Sequence, residues 1–193
     1  FVLSEDGQVG GKRTERIALD ESWHAAAVLA PALRRFPRAR GMPLALSLSS
    51  GTTGIPRGPL ITHENMLARF QGHWVTLGFC QHDRFLLATP LYYGGGRGFT
   101  MSYLYIGATV ILFPPPFKPN DLLTAVEQHQ PTTAFMVPTQ LLRLLDIVSE
   151  NRKPTLGKLR TLVSSGSTLL PSQRRAIRKK ITENFLDYYS STE

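Results

Sequence analysis

The chain has 193 residues, 42% of them hydrophobic, one cysteine and a formal net charge of +8. That length buries a substantial core, and a lone cysteine excludes an internal disulfide framework and fits a reducing compartment. No apolar run approaches the roughly 20 residues that span a bilayer.

The opening stretch, FVLSEDGQVGGKR, is too polar for a secretory leader, so cytoplasm is the expected location. The chain starts at Phe1 and stops at Glu193 directly after a strand-like run, which reads as a piece of a longer protein. Residues 1–43 form an irregular flanking segment. Its first part carries weak structure signals, a helix is expected from Asp20 with an interruption near Pro31, and a connector follows.

From residue 44 onward strands and helices alternate. Leu44, Leu46 and Leu48 fall on one face at strand period, and the run SSGTTGIPRG is expected to join that strand to a helix. Thr62 can cap this helix, with Met66, Leu67, Phe70, Trp74 and Leu77 on one side and Gly78 as its stop. A buried strand at 85–90 follows, then a glycine cluster, a helix through MSYLY and a strand at 108–113. Next come a helix opened by Asn120 or Asp121, a strand at 132–137, and a helix with Pro138 in its first turn. A strand at 159–165, a helix from Pro171 and a last strand at 186–189 complete the chain. Units of this length predict an α/β fold, a mainly parallel sheet flanked by helices.

The densest positive cluster, Arg174, Arg175, Arg178, Lys179 and Lys180, falls on one predicted helix. No aromatic residues are interleaved for base stacking, so nucleic acid is not an expected partner. A solvated face, or one packed on acidic surface, fits better.

In parallel sheets ligands gather at the carboxyl ends of strands. Here those ends read SSGTTG, TPLYYGGG, SSGST and SSTE, all rich in Gly, Ser or Thr. The first can aim backbone N–H groups and the hydroxyls of Ser49, Ser50, Thr52 and Thr53 at one anion, with Arg57 supplying formal charge. It is not a Walker A loop, because Pro56 and Arg57 stand where glycine and lysine are needed.

Together these segments resemble the adenylate-forming enzymes, which include acyl-CoA synthetases, firefly luciferase and the adenylation domains of peptide synthetases. SSGTTGIPRG followed by ITHEN resembles their phosphate loop, PLYYGGG their PL-aromatic-His-x-x-Gly segment, SSGSTLLP their adenine-side loop, and YSSTE their Tyr-Gly-x-Thr-Glu. Val137 to Thr139 also sit where the family has Val-Pro-Thr. The resemblance covers about residues 44–193 and implies part of a large N-terminal, ATP-binding domain. It implies carboxylate attack on the α-phosphorus of ATP, giving an acyl-adenylate and pyrophosphate, then transfer of the acyl group to a thiol, commonly that of CoA. Such chemistry needs positioning and charge neutralisation more than a general base.

Under that resemblance Ser50, Gly51, Thr52, Thr53, Gly54 and Arg57 hold the β- and γ-phosphates, and Thr192 touches the α-phosphate. Glu193 binds Mg²⁺, a hard cation suited to a carboxylate. Tyr189 stacks on adenine, with Gly166 and Ser167 on the other side. Tyr92, Tyr93, Gly96 and Gly166 line the acid site. Arg57, Thr192 and Glu193 are the catalytic candidates, and ATP, Mg²⁺ and CoA the implied ligands beside a small carboxylic acid. Arg57 stands where the family usually has lysine, Tyr93 where it has histidine, and Ser165 and Ser190 where it has glycine. The family's ribose-binding aspartate, hinge and small C-terminal domain lie beyond Glu193, so this stretch alone is expected to be inactive. Two alternatives stay open: a non-catalytic nucleotide-binding fragment, and an adenylation domain that loads a carrier protein.

Other features have plainer readings. His63 and Glu64 begin an HExxH-like string, but Leu67 breaks the zinc pair. His24, His73, His82 and His129 have no ligand spacing, GGGRG fails the dinucleotide pattern at Phe99, and Cys80 has no basic neighbour in sequence to activate it.

Overall fold

The computed structural model describes residues 2–4, 16–18, 20–31, 40–47, 58–148 and 155–190. The chain divides into two compact units, residues 1–38 and 39–193. In the first, β1 (Val2–Ser4) and β2 (Arg16–Ala18) pair in parallel, where the sequence carried only weak signals. Helix α1 (Glu21–Leu29) starts as expected at Asp20, whose carboxylate accepts the Trp23 N–H at 2.9 Å, and it ends before Pro31.

The second unit departs at its start from the expected strand-to-helix order. β3 (Pro43–Leu46) pairs antiparallel with β4 (Leu60–Thr62), outside the main sheet. The SSGTTGIPRG run therefore joins two strands of a hairpin and not a strand to a helix. The returning strand is too short to show a period, and its last residue already serves as a helix cap. Ser47 N–H donates to the Pro59 carbonyl at 3.2 Å and closes the hairpin.

Helix α2 (His63–Leu77) has the caps its sequence announces. Thr62 Oγ1 accepts the Asn65 N–H, Asn65 Oδ1 accepts the Thr62 N–H, and Gly78 ends the helix at φ 62°. Its inward face differs from expectation: Met66, Phe70 and His73 are buried, whereas Trp74 is 54% exposed. The next helix supplies the reason, because it offers His73 a hydroxyl and an aromatic ring.

Five strands form the main sheet: β5 (Arg84–Leu87), β6 (Thr109–Leu112), β7 (Thr133–Met136), β8 (Thr161–Ser164) and β9 (Phe185–Asp187). Their order is β6-β5-β7-β8-β9, and every neighbouring pair is parallel. The connections are α3 (Gly94–Tyr105), α4 (Pro119–His129), α5 (Pro138–Leu145) and α6 (Pro171–Lys180). Helix α4 starts one residue before the expected Asn120, because Pro119 fits the first helical turn, where its missing N–H costs nothing. The glycine cluster at 94–96 is not a loop before α3 but its first turn.

Alternation along the strands fills both faces. Leu86, Ala134, Met136 and Leu162 pack with Leu122, Leu141, Leu144 and Ile177 of α4, α5 and α6. Phe85, Leu87, Phe135 and Val163 pack on the other face with Phe79, Phe99 and Tyr103. At the amino-terminal edge, the buried Asp83 carboxylate ties three strands together. It pairs with Arg160 before β8, accepts the Thr132 hydroxyl before β7 at 2.8 Å and takes the Cys80 N–H at 2.9 Å.

Candidate active site

The chain leaves β5 for β6 on one side and returns to β7 on the other, so the order reverses between β5 and β7. Beyond the carboxyl ends of these strands the two connections diverge to opposite faces and leave a crevice, the usual ligand position in such sheets. Gln140 at the start of α5 holds both sides of it. Its Nε2 donates to the Ala88 carbonyl after β5 at 2.6 Å, and its Oε1 accepts the Val137 N–H after β7 at 3.0 Å.

On the β5 side, Tyr93 occupies the N-cap of α3 without a side-chain cap bond, so the first N–H groups of the helix at the crevice end receive no cap from it. Gly96 has to be glycine: a Cβ there would lie 2.6 Å from Thr89 Oγ1. That buried hydroxyl finds no hydrogen-bond partner among the described residues. Ser47, the last described residue before the phosphate-loop run, has its Oγ 3.9 Å from where a Cβ on Gly94 would sit. The run thus departs beside the start of α3.

On the β8 side, Gly166 adopts φ 109°, open only to glycine, with Val137 Cγ1 3.8 Å from where a Cβ would be. Ser165 and Ser190 lie 3.1 Å apart, oxygen to oxygen, joining the loops after β8 and β9. Tyr189 on the second loop is 92% exposed. Arg174 at the start of α6 reaches Asp187 Oδ2 at 2.7 Å and fixes the end of β9.

One sheet edge thus carries, in order across the strands, Tyr92, Tyr93 and Gly96, then Val137, then Gly166 and Ser167, then Tyr189. Tyr92 and Tyr93 are exposed, their rings 4.8 Å apart. Ser50, Gly51, Thr52, Thr53, Gly54, Arg57, Thr192 and Glu193 lie outside the described residues. Among the described residues no group of His, Cys, Asp and Glu could hold a metal ion, and no helix is long and apolar enough to cross a membrane. A cleft of about 540 Å³ lined by Glu127, Pro131, Lys158 and Glu183 sits at the opposite, amino-terminal edge, away from the polar strand ends.

Sequence reasoning missed Gln140 and the serine pair. Gln140 carried a signal, since Pro-x-Gln recurs at the start of α6, where Gln173 Oε1 accepts the Leu170 N–H at 2.8 Å. The serine pair carried none, because its partners are far apart in sequence. His73 has a packing role, as expected. Its Nδ1 lies 2.8 Å from Ser102 Oγ, whose hydroxyl donates to the Gly98 carbonyl, so the tautomer that completes both bonds is protonated on Nδ1. Burial pushes the imidazole down to about 4, with the Arg69 charge adding to the effect.

The AMP-binding enzyme family model matches residues 7–193, reaching further back than the motifs do. A 4-coumarate–CoA ligase-like protein of Arabidopsis thaliana is 30% identical over 146 residues, 75% of this chain and 24% of that protein. Feruloyl-CoA synthase of an Amycolatopsis species is 34% identical over 123 residues, 63% of this chain and 25% of that protein. ATP-bound MatB from Rhodopseudomonas palustris superposes with a TM-score of 0.75 at 26% identity, covering 89% of this chain and 34% of that one. The chain thus spans about a quarter of the length of these sequence relatives. It belongs to the AMP-binding enzymes, the adenylate-forming superfamily whose motifs its strand ends resemble.

Proposed function

We propose that the protein activates a carboxylic acid with ATP as an acyl-adenylate and passes the acyl group to CoA, with residues 44–193 as part of its ATP-binding domain. The observation that carries this reading is the crevice between β5 and β7, where the glycine start of α3, the departure of the phosphate-loop run at Ser47 and the Gly166 loop share one edge. The CoA-ligase names of the sequence relatives support it.

The groups present suit a nucleotide. Tyr189 offers a free aromatic face for adenine, and the Gly166 backbone, with Ser167, borders the same edge. Ser50, Gly51, Thr52, Thr53, Gly54 and Arg57 hold the terminal phosphates in this reading, and Thr192 the α-phosphate. Glu193 would hold Mg²⁺, which supplies charge neutralisation to the phosphates when bound. The acid lies by Tyr92, Tyr93, Gly96 and Gly166, its carboxylate near the α3 N–H groups, which favour negative charge. The carboxylate is already ionised at neutral pH, so the chain's task is to orient it in line with the α-phosphorus and to exclude water. No general base is required.

Tyr93, in place of the family histidine, favours a second reading in which the site binds nucleotide without catalysis. One experiment separates the two: pyrophosphate release from ATP and Mg²⁺ by the protein in its full natural length, across aliphatic and aromatic acids, followed by assay for a CoA thioester. Acid-dependent release with thioester formation is expected. ATP binding without release would establish the second reading, and release without transfer to CoA would point to a carrier-protein acceptor.

A further inference from the structure

Parallel strands exchange evenly spaced bonds in a fixed alternation, and the β5–β7 ladder keeps to it up to one point. The Ala88 N–H donates to the Phe135 carbonyl at 3.4 Å, so the next rung would run from the Val137 N–H to the Ala88 carbonyl. That rung is replaced. The Gln140 side-chain amide stands between the two groups, taking the Val137 N–H on Oε1 at 3.0 Å and donating from Nε2 to the Ala88 carbonyl at 2.6 Å. Gln140 and Ala88 are both buried. The amide does what one more peptide group would do and holds the two strand ends apart by its own width. Helix capping alone does not require this. Gln173, at the same place in α6, takes the Leu170 N–H at 2.8 Å and makes no bond across the sheet among the described residues.

The two strand ends lead to different halves of the crevice. Ala88 runs through Thr89 and Pro90 to Tyr92, Tyr93 and Gly96, whereas Val137 Cγ1 lies 3.8 Å from where a Cβ on Gly166 would sit. The geometry points to Gln140 as a positioning residue for acyl-adenylate formation, its amide setting the spacing between the acid side at Tyr93 and the nucleotide side at Gly166. The inference rests on the acid-activating reading of the site. In-line attack depends on that spacing, and a displacement of about 1 Å costs on the order of 100-fold in rate.

The test is acid-dependent exchange of pyrophosphate into ATP by the protein in its full natural length, over a series from acetate to dodecanoate with benzoate and cinnamate. Wild type is compared with Gln140→Met, Gln140→Glu and Gln173→Met, below every melting midpoint. Met fills the volume of Gln140 without its bonds. Glu keeps an acceptor for the Val137 N–H and loses the donor to the Ala88 carbonyl, so it carries the test where Met does not fold. Gln173→Met removes a cap of the same kind and leaves the rung intact. With the acid used best, kcat should fall about 30-fold or more in both Gln140 variants, while KM for ATP moves less than about threefold and Gln173→Met keeps kcat within about twofold. Wild-type kcat in either folded Gln140 variant, or a loss confined to KM, would overturn the inference and leave acid activation standing. An equal loss of kcat in Gln173→Met would also overturn it, reducing Gln140 to a helix cap. Wild-type protein that exchanges with no acid would overturn acid activation and this inference with it.

Discussion

Ser165, after β8, and Ser190, after β9, stand 3.1 Å apart through their hydroxyl oxygens. Each occupies a place where the resembling family has glycine. They bond to each other and fasten the loop that carries Tyr189 to the loop that carries Gly166. Loss of either hydroxyl frees both loops. Ser190→Ala should raise the ATP dissociation constant about three- to tenfold, the range expected for one hydrogen bond. Ser165→Ala combined with Ser190→Ala should cost little more than either alone. Calorimetric titration of the three variants checks this, and fully additive losses would show that the bond does not couple the loops.

Gln140 spans the crevice, with one end on the β5 connection and the other on the β7 connection. Removing its amide leaves a carbonyl and an N–H without their partner at a site where Gln140 itself is buried. Gln140→Ala should destabilise the fold by about 2–3 kcal/mol, read as a shift in the denaturation midpoint. A midpoint unchanged within error would mean that water replaces both bonds.

Burial holds His73 neutral, pushing its imidazole from the usual 6.5 down to about 4. The unfolded chain therefore takes up a proton between pH 6.5 and pH 4 that the folded chain refuses. Stability is full above that window and declines as pH falls through it, by about 1–2 kcal/mol between pH 7 and pH 5. Denaturant melts across this range should show the slope, and His73→Gln should flatten it. An equal slope in the variant would assign the effect to other groups.

At the far edge, Asp83 gathers Arg160, the Thr132 hydroxyl and the Cys80 N–H. Arg160 is partly exposed, which weakens the charge contribution, so the hydrogen bonds to a buried carboxylate dominate. Asp83→Ala should cost about 2 kcal/mol or more, and Arg160→Met less. Equal effects in chemical denaturation would reverse that ranking.

Much of this architecture was legible in the sequence. The apolar runs around Leu86, Phe135 and Val163 read as buried strands because parallel strands covered on both faces are apolar throughout. Thr62 and Gly78 marked α2 because capping is local chemistry. What was not legible depended on distant partners. The strand at Pro43–Leu46 looked like a first parallel strand until Leu60–Thr62 paired with it antiparallel. Trp74 looked like core, yet His73 is the buried residue, because α3 presents Ser102 and Phe99 to it. Of the candidate site, the polar strand ends were visible; Gln140 and the serine pair, which hold those ends together, were not.

Under the proposed function this sheet edge binds ATP, with the phosphate-loop run and Tyr189 as its contacts. The most direct measurement is calorimetric titration of ATP with Mg²⁺ into the full-length wild-type protein, Arg57→Ala and Tyr189→Ala. Tyr189 is almost wholly exposed, so its loss should leave stability unchanged. Each substitution should weaken ATP binding about tenfold or more, through a lost charge-assisted phosphate contact or a lost stacking surface. Wild-type affinity in both variants would contradict it.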